Sequence, residues 1–168
     1  MNKKHLPALV CGFGASVLST IPGIQSLACC FLIPIASALS IFLFKKSQTG
    51  LFKIDTSTGI MLGLLTAIIA AVFASCFDII ITYLTRTNDL IASIAQTEKI
   101  VNDMNLGSAA EESIEILKRM ANDIQTKGIS FLYFLMISIT NLITYSIFGI
   151  IGGLTGTAIV NRRNINLR

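Results

Sequence analysis

Residues 149–163 read GIIGGLTGTAIVNRR. Gly149, Gly152, Gly153 and Gly156 interrupt an apolar segment, and Arg162 and Arg163 end it. An interior glycine costs a helix about 0.5–1 kcal/mol relative to alanine. Such a helix needs a compensating contact. In lipid, apolar burial does not drive helices together; close backbone approach at small residues does. The stretch therefore reads as the packing end of a membrane-embedded helix. A second small-residue stripe exists upstream: Gly59, Gly63, Ala67, Ala70 and Ala74. Both segments carry G-x-x-x-G spacing, Gly59/Gly63 and Gly152/Gly156, the spacing that lets two helical backbones touch.

The rest of the chain agrees with a lipid setting. It is 53% hydrophobic and only 13% charged, against about 25% charged in soluble domains. No Asp, Glu, Lys or Arg occurs between Lys4 and Lys45, between Asp55 and Asp78, or between Lys127 and Arg162. A helical span needs roughly 20 apolar residues. The first gap is nearly twice that length and must fold back. Ile21-Pro22-Gly23 supplies the break, because proline lacks a backbone donor and glycine turns cheaply. The sequence thus predicts an all-α integral membrane protein, a single membrane domain over 1–168. Its four spans fall at about 6–21, 25–44, 56–85 and 129–160, with Pro34 kinking the second. The basic start and small residues near Val17 and Ser19 resemble a signal peptide weakly; an uncleaved first span balances the charges better.

Orientation follows from lysine and arginine in the flanks. With both termini cytoplasmic, Lys3, Lys4, Lys45, Lys46, Lys53, Arg162, Arg163 and Arg168 all lie inside. The opposite side receives segment 86–128, with five basic and seven acidic residues. The expected location is the bacterial inner membrane, as a multi-pass protein. The net charge of +4 is a topology signal here, not the clustered basic face of a nucleic-acid binder.

Segment 86–128 has helical seams of its own. Leu90, Ile94, Thr97, Val101 and Met104 recur at alternating spacings of four and three, as do Ala110, Ile114, Leu117, Ala121 and Ile124. That is coiled-coil spacing. Folded antiparallel about Asn105-Leu106-Gly107-Ser108, the seams register: Met104 faces Ala110, Val101 faces Ile114, and Leu90 faces Ile124. Ser108 to Glu111 fits a capping box, and Glu115–Arg119 and Asp123–Lys127 are spaced for ion pairs. The third span is expected to continue unbroken into this extramembrane hairpin. Carrying the same register into the membrane sets Gly63 opposite Gly152, and Gly59 opposite Thr155 and Gly156. A homodimer face is the competing use of these glycines.

Candidates for chemistry are few. Asp78 is the one acid inside an apolar run, near the far end of the third span, and intramembrane acids are functional hypotheses by default. Asn141 sits mid-way along the fourth span, with Ser138 and Tyr145 on its face. Asp78, Asn141 and Tyr145 would line a polar path, or Asn141 would simply hydrogen-bond across helices. Cys11, Cys29, Cys30 and Cys76 all lie in apolar runs without paired metal-ligand spacing, and read as small buried residues, with a Cys29–Cys76 pairing or thiol role as the minor reading. No catalytic constellation, cofactor motif or metal box is evident, so no enzyme, cofactor or metal is expected.

IPGIQSLACCFLIPIASALSIFLFKK, then GLFKIDTSTGIMLGLLTAIIAAVFAS, a polar interruption, and FGIIGGLTGTAIVNRR resemble small four-span bacterial membrane proteins classed as a domain of unknown function. The resemblance implies location and topology and carries no catalytic residue. Two roles follow: a non-enzymatic module that assembles with itself or a membrane partner, or a subunit of a transporter or channel.

Overall fold

A computed structural model describes residues 5–21, 28–48, 53–87, 89–104 and 107–165. The described residues form helices α1 (Leu6–Ser19), α2 (Ile33–Ser47), α3 (Thr56–Thr85), α4 (Asp89–Met104), α5 (Ser108–Lys127) and α6 (Phe131–Ile165), with a π-helical turn, Ala28–Leu32, running into α2. No strand occurs among them. The chain divides into two compact units: Met1–Phe77 with Ser138–Arg168, and Asp78–Ile137. The turn expected at Pro22-Gly23 and the tip residues Asn105 and Leu106 lie outside the described residues.

Three helices are long and apolar enough to cross a membrane, not the expected four. They cover Cys30–Ser47, Thr56–Thr85 and Phe131–Arg162. α1 has 14 residues, about 21 Å at helical rise, short of a roughly 30 Å hydrocarbon core. It stops where local hydrogen bonding takes over. The hydroxyls of Ser16, Ser19 and Thr20 donate to the carbonyls of Phe13, Ser16 and Val17, each at 2.7 Å.

Pro34 does not kink the middle of a helix. It sits in the first turn of α2, directly after the π-helical turn. Proline has no N–H for the carbonyl four residues back, and the wider π turn is a recurrent response to such a disruption.

The first unit buries many small residues beside Ile33, Ile41, Phe44, Ile54, Leu62 and Val160, and leaves many large ones exposed. Ala8, Ala15, Ala36, Ala67, Ala70, Ala71 and Ala74 are all buried, with Ser16, Ser37, Ser40 and Thr66 beside them. Phe31, Ile35, Leu39 and Leu43 form an exposed stripe along one face of the second helical segment, and Met61, Ile68 and Val72 along α3. A soluble protein rarely leaves such continuous apolar stripes exposed. Buried hydroxyls find partners: Ser37 Oγ donates to Gly63 O at 3.3 Å, and Thr66 and Ser40 share a hydrogen bond at 3.0 Å. At the α1–α3 contact Phe13 meets Phe73 edge-on, centroids 5.2 Å apart, and Phe77 at 6.1 Å.

The second unit holds the hairpin α4–α5. The expected antiparallel arrangement is present: Lys118 Nζ pairs with Glu98 Oε1 across the helices at 2.7 Å, and Glu115–Arg119 and Asp123–Lys127 pair within α5. Ile114, Ala121 and Ile124 are buried as the seam requires, but so is Met120, which the seam omits, while Met104 is 64% exposed. Met120 widens the α5 stripe to that of an ordinary amphipathic helix rather than a strict coiled-coil seam.

Two boundaries differ from expectation. α3 does not run on into α4: it ends at Thr85, and Arg86 takes a left-handed φ of 56°. Arg86 is held there by its own side chain, which donates through Nη1 to Thr126 O at 3.2 Å and Gln125 O at 3.5 Å and lies 5.7 Å from the centre of the Tyr83 ring. The guanidinium thereby supplies donors to the last carbonyls of α5, where a cation is favoured. Ser108 does not cap α5 either. Gly107, at φ 80°, occupies the cap position without a side-chain bond, and its carbonyl accepts from the N–H groups of Ala110 and Glu111.

Candidate functional site

The glycines of α6 serve two faces, and this revises the expected pairing. A Cβ built on Gly63 would strike Gly149 O and lie 2.8 Å from Gly153 Cα; one on Gly153 would lie 2.5 Å from Gly59 O; one on Gly59 would collide with Thr157 Oγ1. Gly59 and Gly63 of α3 therefore meet Gly149, Gly153 and Thr157. Gly152 and Gly156 face α2 instead: their Cβ atoms would collide with Pro34 O and lie 2.7 Å from Ala38 Cα. The expected partners Gly152 and Gly156 are at the right height on α6 but on the wrong side. Successive helical residues point about 100° apart, so Gly152 turns away from α3 as Gly153 turns toward it. α6 is thus pressed against α3 on one face and α2 on the next. All six glycines are consumed within one chain, which removes them as a homodimer face.

Asn141 Nδ2 donates to Ser75 Oγ at 3.1 Å, joining α6 to α3. Tyr145 is 7% exposed and packs in a core cluster with Ala67, Ala70, Ala71 and Ala74. Ser138 Oγ is buried without a hydrogen-bond partner among the described residues. Asp78 is half-buried and belongs to the hairpin unit. Asn141 and Tyr145 are brought together as helix-packing side chains within the first unit; neither they nor Asp78 line the two clefts described below. Cys11, Cys30 and Cys76 are thiols, with Cys11 buried and the other two exposed. The side chain of Cys29, and with it the expected Cys29–Cys76 pairing, lies outside the described residues. No cluster of three metal-ligating side chains occurs among the described residues.

The feature that sequence reading missed lies at the basic end of the first unit. Ile54, just before α3, is clamped by Asn161 of α6: the Asn161 Oδ1 accepts from Ile54 N at 3.0 Å, and its Nδ2 donates to Ile54 O at 2.9 Å. Lys45 Nζ donates to Val160 O at 3.3 Å, a cation on a carbonyl near the helix C-terminus. Beside this clamp is a cleft of about 440 Å³ lined by His5, Phe44, Gln48, Lys53, Ile54, Asp55, Thr58, Met61 and Leu62. It gathers residues from before α1, the end of α2 and the start of α3. Only the basic flank itself was visible as a signal; nothing in its spacing marks a cleft. A shallower cleft of about 310 Å³ lies on the hairpin, with Ile91, Ile94, Glu98, Lys118, Ala121 and Gln125 among its walls.

The chain matches no protein-family model, no curated protein and no solved structure.

Proposed function

We propose that the chain is a multi-pass protein of the bacterial inner membrane, with both termini cytoplasmic, acting as a non-enzymatic assembly module. The observation that carries the membrane part is the large number of aliphatic and aromatic side chains left exposed along three long apolar helices, over contacts rich in alanine, glycine and serine. Water would reward the opposite arrangement. On this reading α1 is a short fourth crossing. The bilayer thins slightly around it. Segment 86–128 then emerges opposite the basic flanks.

The assembly part rests on the hairpin. Ile100, Met104 and Ile116 are 48%, 64% and 41% exposed on helices that otherwise carry charge. Exposed apolar groups on a solvated element suit a second copy or a membrane partner. The test is the mass of the purified protein in detergent, by light scattering with the detergent contribution subtracted. The wild type is expected as an oligomer, and Ile100→Asp with Ile116→Asp as a monomer. An unchanged mass for the double variant would remove the hairpin from assembly. The transporter or channel reading draws less support, because the Asn141 amide is already engaged by Ser75.

A further inference from the structure

The cleft beside the Asn161 clamp combines two chemistries. Its floor is apolar: Phe44, Ile54 and Leu62 are 6%, 1% and 4% exposed. Its rim holds a cation and an anion, Lys53 and Asp55, on either side of clamped Ile54, with Gln48, Thr58 and His5 as further polar groups. Among the described residues, neither the Lys53 ammonium nor the Asp55 carboxylate makes a hydrogen bond or ion pair, with each other or with any neighbour. Met61, 62% exposed, continues the apolar floor outward along α3. The ligand that satisfies all of this carries a negative and a positive charge a few atoms apart and an apolar chain attached to the negative end.

We infer that this cleft binds a phospholipid through a phosphoethanolamine headgroup. The phosphate lies with Lys53, helped by donors from Gln48 and Thr58. The primary ammonium donates to Asp55. An acyl chain follows Leu62 and Met61 into the hydrocarbon. Choline lipids carry the same charges but have no N–H to give the carboxylate, so they fit less well. The inference rests on the membrane reading above, which places this end at the cytoplasmic headgroups, where basic pockets between helices meet lipid heads.

The test reconstitutes the full chain in nanodiscs of equal parts phosphatidylethanolamine, phosphatidylcholine and phosphatidylglycerol, and measures lipids retained after release by native mass spectrometry. Wild type is expected to retain phosphatidylethanolamine about tenfold over phosphatidylcholine, the ratio that one charge-assisted hydrogen bond supplies. Asp55→Asn should erase that preference, and Lys53→Gln should lower retention of every phospholipid, with Lys53→Arg restoring it. Equal retention of the ethanolamine and choline lipids by wild type overturns the proposal, as does a preference that survives Asp55→Asn. Soluble glycerophosphoethanolamine forms a separate arm. If millimolar amounts displace the retained lipid, the site serves a water-soluble ligand and the lipid assignment fails. A chain that does not enter nanodiscs at all refutes the membrane reading instead.

Discussion

At the scale of single residues, Asn161 has the largest predicted effect for its size. Its amide satisfies both backbone groups of Ile54, and Ile54 is 1% exposed. Asn161→Ala leaves a buried donor and acceptor unpartnered, at about 1–3 kcal/mol for such a loss. The melting temperature in detergent should fall clearly, while Asn161→Gln, with the same groups one methylene further out, should recover part of the loss. No fall for the alanine variant would mean that water reaches Ile54 and replaces the clamp. The glycines divide as sharply. Gly63→Leu drives a side chain into the backbone of Gly149 and Gly153, which cannot yield as a side-chain tip can; a loss of about 1–3 kcal/mol or more is expected. Gly14→Leu meets nothing within 4 Å and removes a helix-interior glycine, so the melting temperature should hold or rise slightly. Equal effects at both positions would contradict the helix contacts described. Most of this was not legible in the sequence. The glycines announced close packing, but a linear string does not say which of two adjacent faces Gly152 presents, and Asn161 read only as the polar end of a span.

Helices as elements were far more legible. The charge gaps place the third span at 56–85, where α3 lies, and the seam periodicity yields the antiparallel hairpin with its two intrahelical ion pairs. The first span was expected at about 6–21 and α1 lies at Leu6–Ser19, but its 14 residues leave it short of a crossing by length. The break after Thr85 carried no signal either. Arginine is an ordinary helix former, and its left-handed backbone is held by carbonyls forty residues on, a tertiary effect. The matching break at the other end of the hairpin is Gly128, after α5, at φ 81°. A Cβ there would sit 2.9 Å from Arg86 Cζ. Gly128→Ala therefore forces both a left-handed alanine, at about 1–2 kcal/mol, and displacement of the guanidinium that caps α5. Amide exchange at Gln125 to Lys127 should speed up several-fold, with Ile114 unchanged. If exchange at Ile114 rises equally, the hairpin opens as one cooperative unit and the latch has no local role.

For the molecule as a whole, the decisive quantity is the number of crossings, because it fixes which side each terminus faces. Helix length argues for three. Charge argues for four, since three crossings would separate Lys3 and Lys4 from the other basic flanks. Packing bears on the same choice. His5, one residue before α1, lines one cleft with Gln48, Lys53 and Asp55. The start of α1 therefore lies at the end of the first unit where α2 stops and α3 begins. On the proposed reading, α1 begins at that end and is the fourth, short crossing. The prediction is tested by single cysteine reporters at Asn2, Lys46 and Ser108, in a background with Cys11, Cys29, Cys30 and Cys76 replaced by serine or alanine. An impermeant maleimide applied to intact cells should label position 108 and spare 46 and 2, and disruption of the membrane should expose all three. Labelling at 2 together with 108 would leave α1 on the outer side and reduce the crossings to three. Labelling at 46 without 108 would invert the protein, turn the hairpin toward the cytoplasm, and move the headgroup cleft to the opposite leaflet.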